Sequence, residues 1–202
     1  MKPQSPISIP VLMCCLVLLA TVAPAAEWPQ WRGPDRTGRV PTDPSVPTTI
    51  PAEPKRVWQL EIGGGFSSPV VSSNRLVYLD GQDKQEVAHL IDAGSGKEIW
   101  RTAYADLFED EWGPGPRSTP IIDDDRVYAQ SCSGEFRCLN LADGKTIWGI
   151  NFDKDFGVKF LGSKAREGTA SRRGNNGCAV IDGENIIVPV GSTDGATIVC
   201  FN

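Results

Sequence analysis

The chain has 202 residues, of which 40% are apolar, so it is long enough to bury a core of one or two domains. Its 20 lysine and arginine residues face 25 aspartate and glutamate residues, for a formal net charge of -5. This mildly acidic balance, without a basic stripe, argues against nucleic acid and anionic membrane surfaces as partners.

The first segment of the chain has the pattern of an export signal. Lys2 gives a positive start, residues 11–23 are almost entirely apolar, and Ala23-Pro24-Ala25 supplies small residues for cleavage. The apolar stretch is shorter than the roughly 20 residues of a spanning helix. We therefore predict a signal peptide over residues 1–25, no membrane span, and a periplasmic or extracellular location. A membrane anchor at the N-terminus is the alternative.

The next segment, residues 26–54, is rich in proline, threonine and turn residues. It opens on "EWPQWRGPDRTG" and shows neither helical nor strand periodicity. The composition predicts an extended lead-in ahead of the folded domain.

From residue 55 onward the chain repeats one unit of short apolar runs separated by turn residues. The full copies cover residues 67–104 and 118–150, and a third copy over residues 177–202 lacks its fourth run. An isolated run, "KRVWQLEI" at residues 55–62, matches the fourth position. Four-stranded units in series, with an orphan outer strand first, predict an all-β fold, a β-propeller of four-stranded antiparallel blades. Because three blades do not close a ring, we expect residues 55–202 to be part of a ring of seven or eight blades.

The last part of the unit is its most recognisable feature. It is written "DAGSGKEIW" at residues 92–100 and "NLADGKTIW" at residues 140–148. The Gly-Lys step supplies a tight turn between the third and fourth strands. The tryptophan offers a large apolar body for the neighbouring sheet and an N–H that still finds a partner. We therefore assign Trp58, Trp100 and Trp148 to packing.

This unit resembles the repeat of the PQQ-like (pyrroloquinoline-quinone-like) β-propeller family. The opening "WPQWRGPDRTG" and the segments "GPGPRSTP" and "EGTASRRGNNG" are also similar to exported bacterial propellers described as PQQ-binding-like. The family includes quinoprotein alcohol dehydrogenases and a non-enzymatic lipoprotein that assists outer-membrane β-barrel assembly. The resemblance implies a propeller and leaves the activity open.

For the enzymes, the resemblance implies a quinone held over calcium, stacked on a tryptophan and often covered by a disulfide between adjacent cysteines. The single adjacent pair, Cys14-Cys15, belongs to the signal segment. No cofactor is therefore established, and PQQ with calcium rests on the resemblance alone.

Other reactive side chains favour structural roles. Blades pack about 10 Å apart, too far for a disulfide between equivalent positions, so the remaining cysteines are expected to be buried free thiols. These are Cys132, Cys138, Cys178 and Cys200. His89 is expected to be a plain strand residue and Asp123-Asp124-Asp125 a solvated turn. We predict no catalytic residue and no metal site.

The segments ahead of each blade carry the candidate ligand-binding residues, because they surround the mouth of the central channel. They read "GGGFSSP", "GPGPRSTP" and "SRRGNNG". The candidates are Arg117, Arg172, Arg173, Asn175 and Asn176, donors suited to a carboxylate or a polar chain. The alternative is that they brace the connections between blades, with the acidic stretch 106–111 as partner for the arginines.

These observations predict an exported, non-enzymatic binding or scaffold module. Its partner would be a protein or a small polar or carboxylate ligand at the propeller mouth. The alternative function is a PQQ-dependent oxidoreductase whose cofactor ligands lie in the missing blades.

Overall fold

A computed structural model describes most of the chain after residue 26. The described ranges are residues 27–40, 49–164, 172–191 and 197–202. The predicted signal peptide, with Cys14 and Cys15, lies outside the described residues, as do residues 41–48 of the lead-in.

The regular structure of the described residues is mainly antiparallel β-strand, which confirms the predicted all-β class. The strands are β1 (Val70–Ser72), β2 (Arg75–Gln82), β3 (Gln85–Asp92), β4 (Glu98–Asp106), β5 (Glu109–Asp110), β6 (Gly113–Pro114), β7 (Ile121–Asp123), β8 (Arg126–Gln130), β9 (Glu135–Asn140), β10 (Thr146–Asn151), β11 (Val180–Asp182), β12 (Asn185–Pro189) and β13 (Ile198–Phe201).

These strands form sheets in simple sequential order, as a propeller blade requires. The first sheet is β1-β2-β3-β4 and the second is β7-β8-β9-β10, while the third contains β11-β12-β13. The short pair β5-β6 lies in the connection between the first two sheets. The predicted four-stranded antiparallel sheets are therefore confirmed.

Alternation along the strands places the second sheet between its two neighbours. In β8, Val127 and Ala129 join an apolar cluster with the first sheet, whereas Tyr128 joins a cluster with the third sheet. Successive side chains of a strand point to opposite faces, so one strand serves both interfaces. The core consequently consists of two layers, one between each pair of adjacent sheets.

The Gly-Lys turns and the tryptophans fit together between adjacent sheets, as predicted. Gly144 adopts a φ of 71°, and its N–H donates to Asn140 O at 2.8 Å. The indole of Trp100, from the preceding sheet, packs on this turn and donates from Nε1 to Leu141 O at 2.8 Å. Trp58 makes the matching bond to Ala93 O on the turn of the first sheet.

Of the two segments ahead of the first sheet, residues 27–38 differ from the prediction, whereas the pairing predicted for residues 55–62 involves strands outside the described residues. Residues 55–62 form no ladder with the described strands, although Trp58 occupies the expected place on the first sheet. The pairing of this run with a closing blade, and the number of blades, stay predictions. Residues 27–38 are not an extended lead-in, because they fold into a compact loop that is bonded to the sheets.

Helical structure in the described residues is short. Helix α1 (Phe152–Phe156) follows β10, with Asn151 accepting the Lys154 N–H at 2.9 Å as its N-cap and Gly157 ending it at a φ of 69°. A 3₁₀ turn covers Gly162–Lys164. Within the described residues, the structure contains no helix whose length and apolar character would let it cross a membrane.

Candidate functional site

The segments that precede the three sheets lie together and form one surface, which we call the connector face. It comprises residues 63–69, 107–120 and 172–179. The Phe66 N–H donates to Pro116 O at 2.8 Å, and Arg117 Nη1 donates to Arg173 O at 3.4 Å. The sequence prediction that these segments meet is consistent with these bonds.

Glycines allow the first two connecting segments to touch backbone to backbone. A Cβ at Gly115, whose φ is 104°, would lie 2.3 Å from Gly64 O. The same Gly64 carbonyl accepts the Gly81 N–H at 2.7 Å. The "GGGF" and "GPGPR" motifs are therefore needed for this close approach.

Arg117 is held by a two-pronged ion pair at the centre of the connector face. Its Nη1 and Nη2 atoms lie 2.8 and 2.6 Å from the two carboxylate oxygens of Asp110, and Nη2 also donates to Gly113 O at 3.0 Å. The Asp110 side chain is fully buried. Hydrogen bonds from the guanidinium hold the pKa of Asp110 below its usual value. Arg117 is therefore engaged within the protein and orders the β5-β6 segment.

Aromatic rings surround this ion pair, and two of them on the connector face are largely exposed. The Arg117 guanidinium lies 5.3 Å from the ring centroids of both Phe66 and Phe108. Phe108 is buried, whereas Phe66 is 57% and Trp112 is 70% exposed. Arg173 lies 5.8 Å from the Trp112 ring. Phe66 and Trp112 were not among the predicted candidates, although Phe66 lies inside "GGGFSSP" and Trp112 lies between the acidic stretch 106–111 and "GPGPRSTP".

The other two arginines pair with the acidic stretch, as the bracing alternative anticipated. Arg172 Nε lies 3.1 Å from Glu111 Oε2, and Arg173 pairs with the other oxygen of the same carboxylate. Because Glu111 and Arg173 are partly exposed, water screens the pair and its contribution to stability is small. Arg173 retains an exposed side chain for an external contact.

Asn175 and Asn176 differ in their burial and in their hydrogen bonds. Asn175 is buried, and its amide donates to Pro189 O at 2.6 Å and Val190 O at 3.1 Å. Its carbonyl accepts from Gln130 Nε2 at 2.9 Å. Asn176 is exposed and accepts a weak bond from Cys132 Sγ at 3.3 Å. Asn175 thus braces the connection to the third sheet, and Asn176 faces solvent.

A buried carboxyl lies beneath the connector face. Glu86, at the start of β3, has no exposed surface and accepts from Tyr104 Oη at 2.9 Å and from the Phe108 N–H at 3.3 Å. Burial raises the pKa of Glu86 to about 7, against these hydrogen bonds and the charge of Arg117. The sequence offered no signal for Glu86, since its burial depends on the connecting segment folded over it.

The buried Glu86 makes stability depend on pH. Its pKa is 4.5 in an unfolded chain and about 7 in the fold, so its contribution is complete below pH 4.5 and is lost as the pH rises through 7. The full difference corresponds to about 3 kcal/mol. We expect Glu86→Gln to flatten the fall in free energy of unfolding between pH 5 and 8, measured by urea denaturation. The exposed Glu184→Gln variant serves as control, and an unchanged slope in Glu86→Gln would contradict the assignment.

His89 is more than the plain strand residue that was predicted. It is 1% exposed and stacks on Tyr78 with ring centroids 4.5 Å apart. Its Nε2 lies 3.0 Å from Asp80 Oδ1 and its Nδ1 lies 2.8 Å from Glu98 Oε2. Each ring nitrogen therefore lies within hydrogen-bond distance of a carboxylate oxygen. This group ties β2, β3 and β4 together and contains no nucleophile.

The four cysteines within the described residues are free, and their predicted burial is only partly correct. Cys132 and Cys138 are buried, whereas Cys178 is half-buried and Cys200 is exposed. Cys200 lies on β13, which has no fourth strand beside it in the described residues. Burial raises the pKa of the Cys132 thiol to about 12, so it is an unreactive side chain.

The described residues do not fit a calcium-held quinone. Protein-bound calcium takes about six to eight oxygen ligands. In the part of the chain that the structure describes, no group of three or more His, Cys, Asp or Glu side chains is placed to hold a metal ion. The connector-face carboxylates Asp110 and Glu111 are already paired with arginines.

Comparisons with solved structures give partial likenesses only. The quinohemoprotein alcohol dehydrogenase from Comamonas testosteroni is 19% identical, with 63% of this chain and 17% of that chain covered and a TM-score of 0.41. BamB from Moraxella catarrhalis is 13% identical, with 59% and 32% covered and a TM-score of 0.43. A europium-containing methanol dehydrogenase is 9% identical, with 66% and 22% covered and a TM-score of 0.45. The chain thus spans less than a third of each.

The family comparison covers more of the chain. In a separate comparison, no curated protein matches the chain. The family model described as outer membrane protein assembly factor BamB, a PQQ-like repeat model, matches residues 49–152 and again residues 83–186. These matches extend over all of the first two sheets and reach into the third. With its four-stranded sheets, Gly-Lys turns and packed tryptophans, the chain belongs to the PQQ-like β-propeller repeat family.

Proposed function

We propose that the chain is part of an exported, non-enzymatic binding or scaffold module that contacts a protein partner through the connector face. The observation that carries the proposal is the pair of exposed rings, Phe66 and Trp112, at 57% and 70% exposure. Aromatic and arginine side chains dominate the energetics of protein interfaces. Exposed rings beside guanidinium groups are therefore suited to bind a partner.

The rings are presented by an ordered frame, which favours binding. The Arg117 guanidinium lies 5.3 Å from the Phe66 ring centroid and is fixed to the buried Asp110. A preorganised contact surface loses less side-chain freedom when a partner docks. Arg173 and Asn176 are the remaining candidates for polar contacts, because Arg117 and Asn175 are engaged inside the protein. A small carboxylate ligand would meet Arg173 only in competition with Glu111.

Site-specific photocrosslinking in the producing cell tests this proposal. A photoreactive phenylalanine at position 112 is expected to capture one dominant partner protein, because it replaces a ring that is 70% exposed. The same residue at position 97, on an exposed turn away from the connector face, serves as control. Adding Phe66→Ala and Arg173→Ala is expected to reduce the position-112 product at least about tenfold, since each 1.4 kcal/mol of lost contact is tenfold in affinity. Equal products at positions 112 and 97 would contradict the proposal.

The alternative, a PQQ-dependent oxidoreductase, makes a different prediction. Titration of the complete protein with PQQ and calcium would then give a bound chromophore and dye-linked alcohol oxidation. We expect neither. Observation of both, with Phe66→Ala and Trp112→Ala variants unaffected, would replace the scaffold proposal with the enzymatic one.

A further inference from the structure

The motif "WPQWRGPDRTG" forms a loop that contacts the first strand of each sheet or the residue just before it. We call residues 27–38 the clasp. The first strands are the edge strands of their sheets, so their outward N–H and C=O groups need partners. The clasp supplies some of these partners on all three sheets, although it lies before the first of them in the chain.

The clasp adds to the first sheet as a short antiparallel bridge. The Trp28 N–H donates to Val71 O at 2.8 Å, and the Val71 N–H donates to Trp28 O at 2.9 Å. The Glu27 carboxylate accepts the Ser73 N–H at 3.0 Å. These contacts hold the edge of β1 and the turn that follows it.

The next residues of the clasp reach the second and third sheets. The Ile122 N–H on β7 donates to Pro29 O at 2.9 Å. Ile122 occupies the same position in the repeat as Val71. The clasp therefore bonds the equivalent first-strand N–H group in two successive sheets. Arg36 Nη2 donates to Ala179 O at 2.5 Å, one residue before β11. Three sheets are therefore joined by contacts from one twelve-residue segment.

Bonds within the clasp keep it compact. Gln30 Nε2 donates to Pro34 O at 2.9 Å, and Arg36 Nε donates to Gln30 Oε1 at 3.0 Å. Gly33 has a φ of 82°, and a Cβ there would lie 2.8 Å from the Trp28 ring. Gln30 and Gly33 thus fix the shape of the loop. This shape places Trp28, Pro29 and Arg36 against the sheets.

We propose that the edges formed by the first strands of the three sheets are a peptide-binding surface, which residues 27–38 of the same chain occupy. Main-chain hydrogen bonds to Val71 and Ile122 provide attachment, as in other cases where a peptide pairs with an exposed sheet edge. The Arg36 contact to Ala179 O fixes the far end. This surface adjoins the connector face at Ala179, and its proposal does not depend on the proposed function.

Amide hydrogen exchange, resolved by residue, tests the clasp in the full chain. In Trp28→Ala and Arg36→Ala variants, the Val71 and Ile122 amides are expected to exchange at least about tenfold faster than in the wild type. The Val77 and Leu90 amides, inside the first sheet, should stay protected and report that the variant is folded. Arg39→Ala, just outside the clasp, is the matched control. Unchanged exchange at Val71 and Ile122 in both clasp variants would overturn the proposal.

A peptide added in trans provides an independent test. A fluorescein-labelled peptide of residues 27–40 is expected to bind a chain lacking residues 27–38 saturably, measured by fluorescence anisotropy. A peptide carrying both Trp28→Ala and Arg36→Ala should bind at least about tenfold more weakly, since each 1.4 kcal/mol is tenfold in affinity. Absence of binding to the folded deletion variant, or equal binding of the two peptides, would contradict the proposed surface.

Discussion

Replacing His89 with leucine is expected to lower the free energy of unfolding by about 1–3 kcal/mol, because it leaves a buried carboxylate oxygen without its hydrogen-bond partner. Leucine cannot donate to Asp80 Oδ1, which lies 3.0 Å from His89 Nε2. The Asp80 side chain has no exposed surface, and its remaining bonds from Gly63 N and Gln82 Nε2 reach only Oδ2. Urea denaturation of the full chain measures this loss.

Two further variants separate the buried pair from the exposed one. Glu98→Gln removes the partner on the other ring nitrogen, and we expect a loss of about 1 kcal/mol or less because Glu98 is 44% exposed. Combining His89→Leu with Asp80→Asn removes the buried charge and should restore part of the stability. A His89→Leu variant as stable as Glu98→Gln would show that Asp80 does not need the His89 ring as a hydrogen-bond partner.

Truncating Trp100 to alanine is expected to lower the free energy of unfolding by about 3–5 kcal/mol. The indole is 9% exposed and fills the space between the first sheet and the turn of the second. Its Nε1 also donates to Leu141 O at 2.8 Å. The loss therefore combines a cavity with an unpaired carbonyl. Chemical denaturation followed by circular dichroism measures it without relying on tryptophan fluorescence.

Matched variants identify the source of the Trp100 effect. Trp100→Phe keeps most of the apolar volume and removes the N–H, so we expect a loss of about 1 kcal/mol from the hydrogen bond, with a smaller packing change. Trp112→Ala removes a ring that is 70% exposed and should leave stability nearly unchanged. If Trp100→Ala and Trp112→Ala had equal effects, the packing role assigned to the repeat tryptophan would be wrong.

The repeat made the fold accessible from sequence. The features that revealed the fold are local or periodic. They are the strands β3 and β9, the Gly-Lys turns and the tryptophans that follow, which occur in the first unit and again in the second. Short-range patterns of this kind depend on turn geometry and alternation, which a single chain segment encodes. The prediction failed to find the β5-β6 pair, because a two-residue pairing inside a connection has no period.

The sequence predicted where the candidate residues lie in the chain, but it did not predict the partner of each side chain. The sequence located Arg117, Arg172 and Arg173 on connecting segments and named residues 106–111 as possible partners. It did not reveal that Asp110 would be buried under Arg117 or that Asn175 would be saturated by the third sheet. Such pairings join segments that are far apart in the chain, so no local pattern records them.

Glu86 and His89 illustrate the same limit for buried charges. In the sequence "QEVAHLID" they are polar residues on opposite faces of a strand, and each face also carries apolar residues. In the structure both are buried, Glu86 beneath Phe108 of the connecting segment and His89 among Tyr78, Asp80 and Glu98 of the neighbouring strands. Whether a carboxyl or an imidazole is solvated is decided by its distant neighbours.

The clasp shows what each level of structure contributes to this protein. The sequence by itself determined the β class, the order of strands in each sheet, the turns and the tryptophans that pack between sheets, because these depend on local backbone geometry and on alternation of side chains. It also marked "WPQWRGPDRTG" as distinctive without assigning it a role. Only the tertiary structure decided that Trp28, Pro29 and Arg36 bond to the first strands of the three sheets or the residue just before them. It also decided that the connector-face arginines pair with carboxylates while Phe66 and Trp112 stay exposed. Those outcomes depend on which distant groups come within hydrogen-bond distance once the sheets have packed, and this is a property of the folded chain.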